Sequence, residues 1–143
     1  SRFKLIGEGP ELDVSKQLIK DKNIENVEFL GNTQEVEKEL CHSDLFILPS
    51  KTESFGLAAL EAMASKVVVI SSDSGGLPEV NIHNETGFLT KYNDINKMVD
   101  YAENVLKDEE KLNQMKENAF RRAQKFDINK IITGYENIYN SLV

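Results

Sequence analysis

Short apolar runs alternate with helically spaced apolar positions along the first two-thirds of the chain. Phe3 to Ile6, Val27 to Leu30, Leu45 to Leu48 and Val67 to Ile70 are the short runs, each closed by glycine, proline or serine. They predict strands; the unbroken Leu45–Leu48 run suits a strand covered on both faces, and Val67–Ile70 reads as another buried strand. Gly7-Glu8-Gly9-Pro10 breaks the first run, after which Leu12, Leu18 and Ile19 recur at helical spacing. Asn32, with Glu35 three residues later, reads as a capping pair opening a short helix through Val36 and Leu40. A helix is expected at about residues 56 to 65. A Gly75-Gly76-Leu77-Pro78 turn then introduces another short helix, and Gly87-Phe88-Leu89 forms a last short strand. Strand, turn and helix repeated in this order predict an α/β layer fold around a parallel sheet.

The final third is helical throughout. Ile95, Met98, Val99, Ala102, Val105 and Leu106 form one core-facing stripe, and Leu112, Met115, Ala119 and Ala123 form a second. A third stripe, Ile131, Ile132, Tyr135, Ile138, Tyr139 and Leu142, follows an N-cap at Asp127. It is wide enough to need a partner surface, which can lie outside this chain. The Phe3–Ile6 run has a truncated flank, so the domain is expected to start upstream of Ser1. No repeat, low-complexity tract or long linker interrupts the pattern, and one domain is expected.

Composition narrows the classes of function. With 143 residues, 40% of them hydrophobic, the chain suits one globular domain. A net charge of −7 argues against nucleic acid or anionic lipid as partners, since such surfaces need an excess of lysine and arginine. No run reaches the roughly 18 apolar residues of a membrane span, and Ser1-Arg2-Phe3-Lys4 does not begin a secretion signal, so a cytoplasmic location is expected. Cys41 has no partner cysteine and is expected as a buried small residue. With His42 and His83 it gives no metal-ligand spacing, so neither metal nor cofactor is expected. His83 reads as an ordinary loop histidine and Asn84-Glu85-Thr86 as a polar turn.

Candidate chemistry gathers after the third strand. Ligands of open parallel sheets settle beyond the carboxyl ends of the strands, and Ser50 to Gly56 is such a loop. The N–H groups of Gly56, Leu57 and Ala58 would lie in the unbonded first turn of the next helix, where free donors and the dipole favour a phosphate. Gly56 lets a ligand approach the backbone. Glu53, just before that turn, could accept hydrogen bonds from hydroxyls on the same ligand, a combination that fits a sugar phosphate. Glu61 lies roughly 7–8 Å further along the helix axis and would serve a second hydroxyl-bearing group. A local ion pair with Lys66 explains Glu61 equally well, and spacing leaves both readings open. Gly7-Glu8-Gly9-Pro10 lacks the G-x-G-x-x-G pattern of dinucleotide folds and reads as a turn. Gly75-Gly76 is either a tight strand-to-helix turn or a second loop over the same crevice.

The stretch "ESFGLAALEAMA" resembles the E-x7-E signature of family 4 retaining glycosyltransferases. "LIGEGPE", "VEFLG", "SDLFILPS", "SGGLPEV" and "ETGFL" extend the resemblance in order from Leu5 to Leu89. It implies the C-terminal, Rossmann-like half of a GT-B fold followed by C-terminal helices. That half binds a nucleotide-diphosphate sugar without metal, while a small hydroxyl acceptor is held by a separate N-terminal domain. Glu53, with the backbone of Ser54, Phe55 and Gly56, resembles the donor-sugar site, and Leu57 and Ala58 beside Gly56 match the pyrophosphate-binding amides. Glu61 resembles the ribose-binding glutamate, and Gly31, Asn32 and Thr33 match the nucleobase loop. The wording is most similar to members that move N-acetylglucosamine from a UDP donor to L-malate in bacillithiol synthesis. Ser65-Lys66-Val67-Val68 departs from the family's usual Cys-Gly-Val-Pro. The basic pair that relatives direct at the pyrophosphate is expected upstream of Ser1. Other readings are a nucleotide-binding module without turnover and a GT-B sugar-nucleotide epimerase. The resemblance leaves oligomeric state open.

Overall fold

A computed structural model describes residues 1–142, arranged as two compact units, Ser1–Val36 and Glu37 onward. In the first, strand β1 (Phe3–Ile6) and strand β2 (Val27–Gly31) pair in parallel, with Phe3 opposite Val27 and Leu5 opposite Phe29. Helix α1 (Leu12–Asp21) makes the crossover that a parallel pair requires. Helix α2 (Val36–Cys41) starts later than the proposed cap implies. The Asn32 amide donates instead to Glu8 Oε2 at 3.1 Å, and Thr33 Oγ1 accepts the Glu35 N–H. Asn32 therefore ties the loop after β2 to the loop after β1. Cys41, expected inside, is exposed: it ends α2, whose buried position is its neighbour Leu40.

The second unit holds a three-stranded parallel sheet in the order β3 (Leu45–Leu48), β4 (Val68–Ser72), β5 (Gly87–Thr90). All five residues of the central strand β4 are buried. Two-sided cover, expected of Leu45–Leu48 and of Val67–Ile70 alike, is found at β4, while Ile47 on the neighbouring β3 is 41% exposed. Helix α3 (Leu57–Ala64) links β3 to β4, and helix α4 (Leu77–Val80) follows β4. Val67, expected to begin the strand, instead ends the turn after α3 and donates its N–H to Ala62 O.

Val68, Ile70, Phe88, Met98, Val105, Leu112 and Met115 form the core. Helix α5 (Ile95–Leu106) contributes a narrower stripe than expected: Met98 and Val105 are buried, whereas Ile95, Val99 and Leu106 are exposed. Residues 98, 101, 102 and 105 share one side of a helix, and Tyr101 stacks on Phe88 with ring centres 4.5 Å apart. Helix α6 (Glu109–Ala123) buries all four expected positions, Leu112, Met115, Ala119 and Ala123. A short 3-10 helix (Gln124–Phe126) leads into helix α7 (Ile128–Ser141), where the Asp127 carboxylate accepts the Asn129 N–H as the N-cap. No described residue of α7 is buried, and Ile132, Tyr135, Ile138 and Tyr139 all lie in the open.

Candidate donor site at the start of α3

The loop from β3 to α3 carries most of the expected site. Gly56, buried and left-handed at φ +95°, is the N-cap of α3, a conformation that disfavours any side chain. A Cβ there would also meet Leu77 Cδ2 at 2.8 Å. The first intrahelical bond runs from Leu60 N–H to Gly56 O, so the N–H groups of Leu57 and Ala58 have no helical acceptor. Both residues are exposed. Solvent, or an anion, can reach those donors.

Glu53 is half-buried and Ser54 exposed immediately before this turn. No side-chain partner is found for Glu53 among the described residues. Glu61, one helical segment later, is exposed and likewise has none. The ion pair considered for Glu61 goes elsewhere, because Lys66 Nζ meets Glu117 Oε1 at 2.5 Å and lies 5.2 Å from the Phe120 ring centre. Lys66 has φ +58°, and its N–H donates to Met63 O while that of Val67 reaches Ala62 O. This is the helix end that favours glycine, the residue the family usually carries here, and Lys66 adopts it with a side chain in place. Gly31, left-handed at φ +63°, Asn32 and Thr33 lie in the first unit, in the loop after β2.

The Gly75-Gly76 turn joins β4 to α4 and stands against the Glu53 loop backbone to backbone. A Cβ on Gly75 would overlap the Glu53 carbonyl oxygen, and one on Gly76 would lie 2.7 Å from Ser54 O and 2.9 Å from Phe55 Cα. Ser72 at the end of β4 donates its hydroxyl to Ser50 O at 2.5 Å, joining the same two loops. Asp73 follows, paired with Lys91 at 2.7 Å; that hydrogen bond and charge hold the Asp73 carboxyl below its ordinary range and the Lys91 ammonium above its own.

Two contributors escaped sequence reasoning. Asn81 is fully buried and donates to Val69 O, Ser71 Oγ and Phe88 O, while its Oδ1 accepts from Thr86. It locks β4 to β5, and no periodicity marks it. Phe126 sets its ring 5.7 Å from that of Phe55 at 73°. An apolar residue just before an N-cap is the one available signal that it packs on something.

The parallel strands flanked by helices in each unit, and the solved structures that superpose on the chain, define the class of GT-B glycosyltransferases. Anabaena Alr3699/HepE in complex with UDP superposes with a TM-score of 0.88 at 27% identity, covering 98% of this chain and 41% of that one. TarM superposes with a TM-score of 0.87 at 29% identity, covering 97% and 28%. The sequence model described as glycosyl transferases group 1 matches residues 2–122, and the chain belongs to that family. N-acetyl-alpha-D-glucosaminyl L-malate synthase of Bacillus anthracis is 43% identical over 141 residues, which are 97% of this chain and 37% of the relative. The chain thus spans about two-fifths of the length of this relative and of two further curated ones that it matches.

Proposed function

We propose that the chain is the donor-binding part of a retaining glycosyltransferase that takes UDP-N-acetylglucosamine. In the whole protein, a separate domain would present a small hydroxyl acceptor, L-malate, in the cytoplasm. The observation that carries this reading is the pair of unpartnered carboxylates, Glu53 and Glu61, on either side of the open first turn of α3. Carboxylates without protein partners are free to accept hydroxyl hydrogen bonds, and such charge-assisted bonds are stronger than neutral ones. Glu61 then receives the ribose hydroxyls and Glu53 those of the sugar, with the backbone of Ser54, Phe55 and Gly56 beside it. The diphosphate meets the N–H groups of Gly56, Leu57 and Ala58. These fixed donors would stabilise charge on the leaving diphosphate as the sugar bond breaks. Gly31, Asn32 and Thr33 are assigned to the nucleobase.

Support for the sugar and acceptor comes from the name of the 43% identical relative, and for the nucleotide from the UDP and UDP-glucose complexes of HepE. Calorimetric titration with UDP, UDP-glucose and UDP-N-acetylglucosamine tests the reading. UDP-N-acetylglucosamine should bind tightest of the three. Binding of UDP-glucose above it would remove the sugar assignment, and no binding of any of them would remove the donor site.

A further inference from the structure

Glu53 stands on a segment that makes few bonds of its own. Among the described residues, Lys51 to Phe55 make no backbone hydrogen bond, and the nearest tether is Ser72 Oγ to Ser50 O. The position of the loop is therefore set by packing. One wall is the Gly75–Gly76 backbone, too close for any side chain to stand there. A second support is Phe126, whose ring meets Phe55 edge to face. Arg122 links the two supports. Its guanidinium donates to Val80 O at 3.3 Å and to Glu79 O, holding the end of α4, the helix that Gly76 begins. The same guanidinium carbon lies 5.1 Å from the Phe126 ring centre.

We propose that Gly76 and Phe126 are positioning residues for donor-sugar recognition, holding the Glu53–Phe55 loop through two separate contacts without touching the ligand. The proposal rests on the reading that Glu53 binds the donor sugar. Its signature is selective: displacing the loop moves Glu53, while Glu61 sits on α3 and keeps its grip on the nucleoside. A general loss of structure would weaken both.

The experiment compares dissociation constants for UDP and UDP-N-acetylglucosamine by calorimetry in the parent chain, Glu53→Gln, Gly76→Ala, Phe126→Leu and Phe126→Tyr. Gly134→Ala serves as control, since nothing lies within 4 Å of a Cβ there. Thermal melts report folding, and Phe126→Leu carries the test should Gly76→Ala not fold. The preference for the sugar nucleotide should fall about tenfold in Gly76→Ala and Phe126→Leu, as one lost charge-assisted hydrogen bond implies, with UDP affinity kept within about twofold. Phe126→Tyr and Gly134→Ala should match the parent. Equal loss for both ligands, or an unchanged preference in Gly76→Ala and Phe126→Leu while Glu53→Gln loses it, would overturn the positioning role alone. A preference unchanged in Glu53→Gln would overturn the Glu53 reading and the proposal with it.

Discussion

Lys66 pairs with Glu117 across to α6, not with Glu61 on its own helix. The cation that could have explained Glu61 as a structural residue is engaged, which leaves the Glu61 carboxylate facing solvent. Glu61→Ala should therefore leave thermal stability nearly unchanged while weakening UDP binding by roughly 1.5–3 kcal/mol. Calorimetry with UDP, which lacks the transferred sugar assigned to Glu53, isolates the effect. Unaltered UDP affinity would remove the ribose assignment.

Asn81 carries the opposite expectation. Replacing it with leucine strands the buried Ser71 Oγ and takes a donor from Val69 O and Phe88 O, while Thr86 Oγ1 keeps its bonds to Ile82. Each such group costs about 1–3 kcal/mol. Urea unfolding of Asn81→Leu should show a loss of at least that size, although the substitution touches no residue of the proposed donor site.

The left-handed turn at Lys66 gives a finer test. An L side chain in that conformation costs roughly 1–2 kcal/mol, and an exposed ion pair returns at most about 1 kcal/mol. Lys66→Gly should be close to neutral, because it loses the pair and relieves the backbone. Lys66→Ala loses the pair and keeps the strain, so it should be the less stable of the two by about 1 kcal/mol. Urea midpoints falling in the reverse order would show that the left-handed turn holds no strain that glycine relieves.

Period and punctuation made the parallel sheet legible. The Phe3–Ile6 and Leu45–Leu48 strands coincide with their apolar runs, and the α6 stripe is buried as its spacing required. Exposure was harder to read. Cys41 and Leu40 are adjacent and both apolar in character, yet only Leu40 turns inward, because a short helix has a narrow buried side. The Asn32–Glu35 spacing fits a cap, but a longer-range acceptor, Glu8, competed for the Asn32 amide and no local pattern records it. At the candidate site, the loop and helix carrying Glu53 and Glu61 could be placed from sequence. Their supports could not, since Phe126 is 71 positions from Phe55 and contacts at such separation leave no periodic trace.

Helix α7 has 14 residues, none of those described being buried, and its start is fixed by the Asp127 cap. A helix of that length without packing is marginal in water, so its order is conditional on whatever covers the isoleucine and tyrosine side. The sheet and α6 share one buried core and should unfold cooperatively. The last turns of the chain are not bound into that event. Melting followed by total helix content and melting followed by the core need not coincide, and a single transition temperature would describe only the sheet and the helices that bury it.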